Sequence, residues 1–223
     1  MKKPLIAIDG PVGSGKSTVA RLVAKRLSLR YLDTGATYRA AAWKAMQQRL
    51  DPADREPIAA LCRALDLEVK PDPADFRVYV EGQDITSQIR LPGVGEYASK
   101  ISVYPEVRPA LVAFQRRIAQ ERGIVVEGRD VQTVVCPDAD VKVFITASFE
   151  ERAKRRWLEL RARHPEADLD AIRKQVQERD ARDQNRAASP LRPADDAAII
   201  NTDGLTAEEV ASQITALLPR SAE

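Results

Sequence analysis

The sequence contains few of the residues that build several common kinds of functional site. It has one histidine, two cysteines and 5% aromatic residues. A single histidine, His164, argues against a histidine-based zinc site or a Ser-His relay. Cys62 and Cys136 have neither C-x-x-C nor metal-ligand spacing, and they suit a reducing compartment. The low aromatic content leaves no stacking platform of the kind that binds single-stranded nucleic acid.

Strong net charge and long apolar runs are also absent. The 35 basic and 33 acidic residues leave a net charge of +2, so no overall electrostatic field would recruit nucleic acid. No apolar run approaches the roughly 20 residues that span a bilayer. The first residues, Met1-Lys-Lys-Pro, lead straight into a short apolar run without a signal-peptide pattern. We therefore expect a cytoplasmic protein that binds neither nucleic acid nor membranes.

The composition is otherwise that of an ordinary globular protein, with 223 residues, 44% hydrophobic and 30% charged. Short apolar runs cover residues 5–9, 30–32, 123–127, 141–146 and 198–201. Helical patterns alternate with them over residues 16–27, 35–49, 106–121, 149–186 and 205–218. This alternation predicts an α/β fold in which a parallel β-sheet is flanked by helices. Ligands of such sheets bind beyond the carboxyl ends of the strands.

One segment, residues 63–104, interrupts the alternation. Its apolar residues alternate with polar ones between turn signals, which predicts a small antiparallel sheet, and a short helix is expected near residues 94–101. We therefore predict a core formed by residues 1–62 and 105–223, with a helical lid around residues 150–186. Residues 63–104 would form a β-containing insert on that core.

Residues 10–17 carry the most specific motif of the chain. They read Gly-Pro-Val-Gly-Ser-Gly-Lys-Ser and fit G-x-x-x-x-G-K-[ST], between the first predicted strand and the first predicted helix. Backbone N–H groups and the helix N-terminus form an anion site in this setting, so we predict a P-loop nucleoside triphosphate site. Lys16 would reach the β- and γ-phosphates, and the Ser17 hydroxyl would ligate Mg²⁺. The predicted triphosphate-binding residues are Gly10, Pro11, Val12, Gly13, Ser14, Gly15, Lys16, Ser17 and Thr18.

Arginines occur in three places that the predicted fold brings to one edge of the sheet. One follows the second strand, one follows the third strand beside an aspartate, and two share a lid-helix face with another aspartate. An arginine fork binds phosphate oxygens bidentately, so these residues predict a site for an acceptor phosphate. For the lid residues alone, a solvated salt-bridged face remains the alternative. The residues are Arg39, Arg129, Asp130, Arg179, Asp183 and Arg186.

Six short sequence motifs follow one another along the chain. They are I-D-G-P-x-G-S-G-K-S from residue 8, L-D-T-G-A-x-Y-R from residue 32, E-G-R-D from residue 127, P-D-A-x-V-K-V-F from residue 137, A-S-x-E-E-R from residue 147 and R-D-x-x-D-x-x-R from residue 179. In these motifs the chain resembles the bacterial cytidylate kinases, a family of P-loop nucleoside monophosphate kinases, over essentially its whole length. The resemblance implies a monomer that transfers a phosphoryl group from ATP, with Mg²⁺, to CMP or dCMP. The insert would then be the enlarged monophosphate-binding domain of that family.

The resemblance also implies a role for each matched residue. Three arginines would hold the acceptor phosphate, namely Arg39, Arg129 and Arg186. Three lid arginines would face the donor phosphates beside Lys16, namely Arg152, Arg155 and Arg156. The ribose would contact Arg179 and Asp183, and Thr34 would belong to the same CMP site. The residues implied to read the cytosine are Ser99, Arg108 and Asp130.

The implied base site agrees with the hydrogen-bonding pattern of cytosine. Its exocyclic amine needs an acceptor, for which Asp130 is suited, and its ring acceptors need donors, for which Arg108 and Ser99 are suited. Uracil reverses the pattern, and each buried group left unpaired would cost about 1–3 kcal/mol. We therefore expect a preference for cytosine rather than absolute exclusion of uracil.

Two positions depart from the family pattern. Gln132 stands in place of a glycine, so the loop that carries Asp130 must adapt to a larger side chain. Cys136 stands in place of a phenylalanine, which indicates a packing change. Two other functions remain open, a P-loop kinase for AMP, UMP or another small molecule, and a regulatory nucleotide switch. The nucleotide switch lacks support because the chain has no N-K-x-D-type run, which would be expected to read the base. Residues 201–204 are expected to lie near the adenine of the triphosphate.

Overall fold

The computed structural model describes residues 3–72, 75–162 and 164–218, without the side chain of Pro92. The first part of the chain forms β1 (Leu5–Asp9), α1 (Lys16–Arg26), β2 (Arg30–Asp33), α2 (Thr34–Gln47) and α3 (Arg55–Ala64). Next come β3 (Leu67–Pro71), β4 (Phe76–Val80), β5 (Gln83–Asp84), a 3₁₀ turn (Gln88–Arg90) and α4 (Pro92–Ile101). The remainder forms α5 (Arg108–Gln120), β6 (Ile124–Gly128), a π-helical turn (Val131–Val135), β7 (Val141–Thr146), α6 (Phe149–Arg161), α7 (Leu169–Asn185), β8 (Ala198–Asn201) and α8 (Ala207–Ala216).

The main sheet contains five parallel strands in the order β2-β6-β1-β7-β8. Every residue of β1 and β6 is buried, as expected for strands that helices cover on both faces. This architecture confirms the predicted α/β fold class. Because all five strands run in one direction, the P-loop after β1 and the loops after β2 and β6 meet at one edge of the sheet.

A second, antiparallel sheet has the order β3-β4-β5 and lies within the segment where the sequence predicts an insert. Val69, Val78 and Val80 are buried, while the side chains between them are exposed or partly exposed. Glu81 and Gly82 join β4 to β5 and both have positive φ, as a tight hairpin turn requires. The buried face of this sheet belongs to the same apolar core as the parallel sheet, which fixes the insert against the core.

The lid differs from the single helix that the sequence predicts over residues 149–186. α6 ends at Arg161 and α7 begins at Leu169. Between them stands Pro165, which lacks the N–H that a continuing helix needs, and Asp168 caps α7 by accepting a hydrogen bond from the Ala171 N–H at 2.8 Å. The two helices share a small apolar cluster that is separate from the main core. It contains Val12, Ile172 and Val176, with Phe149, Trp157 and Leu160 packed against them.

α3 is a helix that the pattern of apolar runs described above does not include. Its buried residues Ile58, Leu61 and Cys62 lie on one face, at the spacing typical of an amphipathic helix. The helix is short, so its pattern is weak in the sequence. Cys136 is 1% exposed and packs in the main core.

Candidate active site

The loop between β1 and α1 is shaped to receive an anion. Gly15 precedes the helix with φ of 87°, a conformation that favours glycine, and no side chain caps the first turn of α1. The chain is also tightly packed at Gly10, where an added Cβ would lie 2.1 Å from the Ile145 carbonyl oxygen. The free N–H groups of the helix N-terminus therefore remain available to a phosphate.

Lys16, the first residue of α1, is 8% exposed, and its Nζ donates a hydrogen bond to the Pro11 carbonyl at 3.3 Å. Burial, together with the positive charge of Arg129, lowers the pKa of Lys16 to about 7. The negative charges of Glu127 and Asp33 act in the opposite direction. Lys16 is thus a buried cation whose charge a bound phosphate would stabilise.

Two strand-end carboxylates beside the P-loop were not assigned a role from the sequence. Asp33 ends β2, and Glu127 lies at the end of β6 with its Oε1 accepting a hydrogen bond from the Tyr31 hydroxyl at 2.8 Å. Burial, with the nearby charge of Asp33, raises the pKa of Glu127 above its ordinary value, while a hydrogen bond with Ser17 opposes that shift. Their positions at strand ends were the available signal, since the carboxyl ends of parallel strands build ligand sites.

These oxygen groups fit a magnesium ion that arrives with a nucleotide. Mg²⁺ prefers oxygen ligands and is usually held by few protein groups, several waters and substrate phosphates. Ser17, Asp33 and Glu127 all line the same cavity. Within the part of the chain that the structure describes, no cluster of three or more His, Cys, Asp or Glu side chains could hold a metal by itself.

The predicted phosphate-binding arginines line the same cavity as Lys16, each beside a carboxylate. Arg39 on α2 donates to Asp33 at 2.6 Å, and the Arg129 Nε donates to Asp183 of α7 at 2.8 Å. Burial alone would raise the pKa of Asp33, but Arg39 holds that pKa below its ordinary value. The loop after β6 and helix α7 are thus joined by an ion pair.

Arg179 lies in the same group of arginines, but its hydrogen-bond donors are less completely paired. Its Nε is buried and, among the described residues, has no hydrogen-bond partner. Desolvation, together with the positive charge of Arg129, lowers the pKa of Arg179 to about 10. Neighbouring guanidinium groups and an unpartnered buried donor are the signature of a site that is completed by an anionic or polar ligand.

Two of the three residues expected to read a base, Ser99 and Asp130, line the cavity, and Arg108 contacts Asp130 from outside its lining. Asp130 pairs with Arg108 at the start of α5 and with Arg186, whose guanidinium nitrogen lies 3.3 Å from Asp130 Oδ1. The Ser99 hydroxyl of α4 is buried and has no partner among the described residues, and the same holds for the Tyr38 hydroxyl. Burial raises the pKa of Tyr38 to about 12, so this hydroxyl stays protonated. Tyr38 is a further polar group here that was not singled out from the sequence.

The three lid arginines occupy different environments. Arg155 donates to the Thr202 hydroxyl at 2.8 Å and to the Thr202 carbonyl at 2.9 Å, next to the P-loop. Arg156 pairs with Glu159 at 2.7 Å and faces the cavity. Arg152 instead donates to Asp180 of α7 at 2.5 Å and to the Val12 carbonyl at 3.2 Å, and it does not line the cavity.

One cavity of about 740 Å³ contains most of the predicted site residues. Those that line it are Val12, Gly13, Gly15, Lys16, Ser17, Thr18, Thr34, Arg39, Ser99, Arg129, Asp130, Arg155, Arg156, Arg179, Asp183 and Arg186. Those that lie outside its lining are Gly10, Pro11, Ser14, Arg108 and Arg152. The residues predicted to bind the triphosphate and those predicted to bind the acceptor therefore line one cavity.

Comparison with known proteins agrees with this arrangement. The family model for cytidylate kinase matches residues 6–220. The chain belongs to the cytidylate kinase family. A cytidylate kinase of Desulfitobacterium hafniense (strain Y51) is 47% identical over 218 residues, which cover 97% of this chain and 94% of that protein.

Other relatives of this cytidylate kinase family member are longer. A bifunctional pantoate ligase/cytidylate kinase of Gloeobacter violaceus is 44% identical over 97% of this chain, and the chain spans 43% of that protein's length. A solved structure of an uncharacterised protein from Eubacterium ventriosum superimposes with a TM-score of 0.52. It is 13% identical, with 96% of this chain and 97% of that chain covered, so it shows the fold alone.

In this member of the cytidylate kinase family, the structure accommodates Gln132 in the π-helical turn after Asp130. Its side chain is 1% exposed and both ends of its amide form hydrogen bonds. None of the helices among the described residues is both long enough and apolar enough to cross a membrane.

Proposed function

We propose that this chain transfers the γ-phosphoryl group of ATP to CMP or dCMP, giving ADP and CDP or dCDP. The observation that carries the proposal is the single cavity in which a P-loop faces a group of arginines from α2, the loop after β6 and α7. A triphosphate site alone would suit many proteins, but a second phosphate site opposite it suits a nucleotide acceptor. Membership of the cytidylate kinase family supports the identity of that acceptor.

The donor would bind at the N-terminus of α1. Its phosphates would receive hydrogen bonds from the loop of residues 10–18, and Lys16 would neutralise charge that develops during transfer. Ser17 would hold Mg²⁺ together with the phosphates, and Glu127 and Asp33 would orient its water ligands. Bound there, Mg²⁺ would supply positive charge to the donor oxygens.

The lid would act on the donor from the opposite side. Arg155 and Arg156 already line the cavity, so small movements would bring them to the donor phosphates. Arg152 was expected to do the same, but its guanidinium is occupied by Asp180 and the P-loop backbone. We propose that Arg152 contributes by holding the lid to the P-loop. Residues 201–204 would lie near the adenine, since Thr202 contacts the P-loop through the Ser14 carbonyl at 3.3 Å.

The acceptor would bind between the insert and α7. Arg39, Arg129 and Arg186 would hold its phosphate, and Thr34 lies beside them at the start of α2. Arg179 and Asp183 would contact the ribose hydroxyls. These assignments are supported by the unpartnered Arg179 Nε and by the position of each residue on the cavity wall.

The cytosine would bind in the corner formed by Ser99, Arg108 and Asp130. The Ser99 hydroxyl has no partner of its own among the described residues, so it is free to donate to a ring acceptor. Asp130 would accept from the exocyclic amine while it stays paired with Arg108 and Arg186. Uracil would present a carbonyl to Asp130, and this repulsion would disfavour UMP.

Catalysis in this arrangement depends on positioning and on charge neutralisation. The acceptor phosphate is already an anion, so in-line attack needs no dedicated base and no covalent protein intermediate. The arginines would bring two mutually repelling anions together and hold them in line. Closure of α6 and α7 over the cavity would exclude water, which would otherwise accept the phosphoryl group.

We also propose that the protein is a cytoplasmic monomer whose partners are nucleotides. The large exposed apolar side chains among the described residues are scattered over separate elements, which gives little support for a stable subunit interface. They are Met46, Leu91, Leu158, Ile199 and Leu217. Light scattering of the purified protein would measure its oligomeric state directly.

The function is tested by ADP release from ATP and Mg²⁺ in the presence of CMP, dCMP, UMP or AMP. We expect rapid turnover with CMP and dCMP, slower turnover with UMP and little with AMP. Asp130→Asn should reduce the preference for CMP over UMP, while Asp138→Asn on the surface should not. Stimulation by AMP alone would indicate another nucleotide kinase, and no stimulation by any monophosphate would favour a nucleotide switch.

A further inference from the structure

Gln132 forms hydrogen bonds to two separate parts of the chain. Its Nε2 donates to the Val143 carbonyl of β7 at 2.6 Å, and its Oε1 accepts from the Ala194 N–H at 3.2 Å. The side chain is 1% exposed, and its bond to the Val143 carbonyl is buried away from bulk water. A buried amide that satisfies two backbone groups fixes their relative positions, because losing it leaves both unpaired.

Ala194 belongs to the connector, which we define as residues 187–197 between α7 and β8. The connector has no helix or strand of its own. The Leu191 N–H donates to the Asp183 carbonyl at 2.8 Å, and the Arg186 Nε donates to the Ser189 carbonyl. Arg186, which immediately precedes the connector, is therefore held partly by the connector's own backbone.

The other end of this arrangement is rigid. The Asp9 carboxylate accepts hydrogen bonds from the Val131 N–H at 3.0 Å and from the Gln132 N–H at 2.8 Å. Asp9 is the last residue of β1 in the centre of the sheet and is fully buried. The backbone of Gln132 is thus anchored to the main sheet, while its side chain reaches out to the connector.

These contacts form a closed ring. From Asp130 the chain passes to Gln132, across the amide to Ala194, back along the connector to Arg186, and through the ion pair at 3.3 Å to Asp130 again. Two of these members, Asp130 and Arg186, are the residues proposed to hold the cytosine and the acceptor phosphate. Gln132 is placed to set the distance between them without touching the substrate.

We propose that Gln132 is a positioning residue for the acceptor site, which it serves by tying the connector, and through it Arg186, to the loop that carries Asp130. The inference rests on the proposed function. It assigns a role in acceptor binding to the position at which the chain departs from the glycine of its family pattern.

The test uses Gln132→Met, which keeps the length of the side chain and removes both hydrogen bonds. We expect the Kd for CMP, measured by calorimetry, to rise about tenfold, while the Kd for ATP changes less than about twofold. Ala194→Pro removes the same N–H from the connector side and should also weaken CMP binding. Lys142→Met is the matched control, since it cuts an ion pair between Lys142 of β7 and the exposed Asp196 of the connector.

A double-mutant cycle with Arg186→Ala separates positioning from general stability. If Gln132 acts through Arg186, Gln132→Met should weaken CMP binding little further in the Arg186→Ala background. Equal losses of CMP and ATP affinity, or fully additive effects of the two substitutions, would overturn the proposal in favour of a purely structural role. A wild-type protein without CMP kinase activity in the ADP-release assay would instead refute the proposed function, independently of these binding measurements.

Discussion

The charge of Lys16, in the predicted triphosphate site, depends on the nearby charge of Arg129, in the predicted acceptor site. Its pKa of about 7 follows from burial and from the positive charge of Arg129 in the absence of nucleotide. Above that pH most of the free protein carries a neutral Lys16. A bound triphosphate supplies negative charge at the same place and favours the protonated form.

We therefore expect ATP binding to be accompanied by proton uptake at pH 8 and by much less uptake at pH 6, where Lys16 is already charged. Titration calorimetry in two buffers with different ionisation enthalpies measures the number of protons. Lys16→Met should remove the uptake and also abolish turnover. Lys25→Met, at an exposed position on the same helix, should change neither; uptake that persists without Lys16 would assign the proton to another group.

At the scale of single residues, the sequence predicts which arginines approach the site but not which carboxylates they meet. Arg39 and Arg129 follow strands, and strand ends converge in any parallel sheet. Their pairing with Asp33 and Asp183 depends on the directions of the side chains and on the angle of α7. No local sequence pattern encodes either of these. Asp9 is a similar case, because only the folded loop brings the Val131 and Gln132 N–H groups to its carboxylate.

The lid helices are joined to the P-loop by a small apolar cluster and one buried ion pair. Val12 of the P-loop packs with Ile172 and Val176 of α7, and Arg152 of α6 pairs with Asp180 of α7 at 2.5 Å. The sequence predicts that the lid is helical because the helical pattern continues over the long stretch of residues 149–186. The break into two helices depends on Pro165 and the Asp168 cap, whose signals are embedded in an otherwise continuous polar pattern.

Replacing Arg152 by methionine should therefore lower the stability of the protein more than the same replacement at either neighbouring lid arginine, Arg155 or Arg156. It leaves Asp180 buried without its partner, so we expect a loss of about 3–5 kcal/mol in the free energy of unfolding. Arg156→Met removes an exposed pair and should change stability by less than about 0.5 kcal/mol, yet lower kcat. Chemical denaturation and steady-state kinetics on both variants distinguish these effects; a stable but inactive Arg152→Met would return Arg152 to the donor phosphates.

For the molecule as a whole, charge is balanced overall but not locally. The net charge is +2, whereas one cavity is lined by Lys16 and several arginines. The sequence predicts this contrast, because its basic residues recur in strand-end motifs. It does not predict the strand order β2-β6-β1-β7-β8, since crossovers between parallel strands leave no local trace in the sequence.

The crowding of like charges predicts a conflict between stability and function. Arg179→Met removes a guanidinium that is desolvated, repelled by Arg129 and left with an unpartnered Nε. We expect the Tm of the nucleotide-free protein to rise by a few degrees, which corresponds to roughly 1 kcal/mol in the free energy of unfolding, while CMP turnover falls sharply. Thermal unfolding with and without CMP measures both effects. Arg182→Met, one turn along α7, should leave turnover unchanged, and a lowered Tm in Arg179→Met would contradict the expectation.

The internal ion pairs of the cavity also bear on how a reaction cycle ends. Each of the three arginines proposed to hold the acceptor phosphate pairs with a carboxylate of the protein, namely Arg39 with Asp33, Arg129 with Asp183 and Arg186 with Asp130. Loading the cavity is therefore an exchange of one anion for another rather than the filling of bare positive charge. With the diphosphate product we expect the same exchange in reverse, in which the protein's own carboxylates take its place beside the arginines. A site with this many guanidiniums can in this way release what it makes.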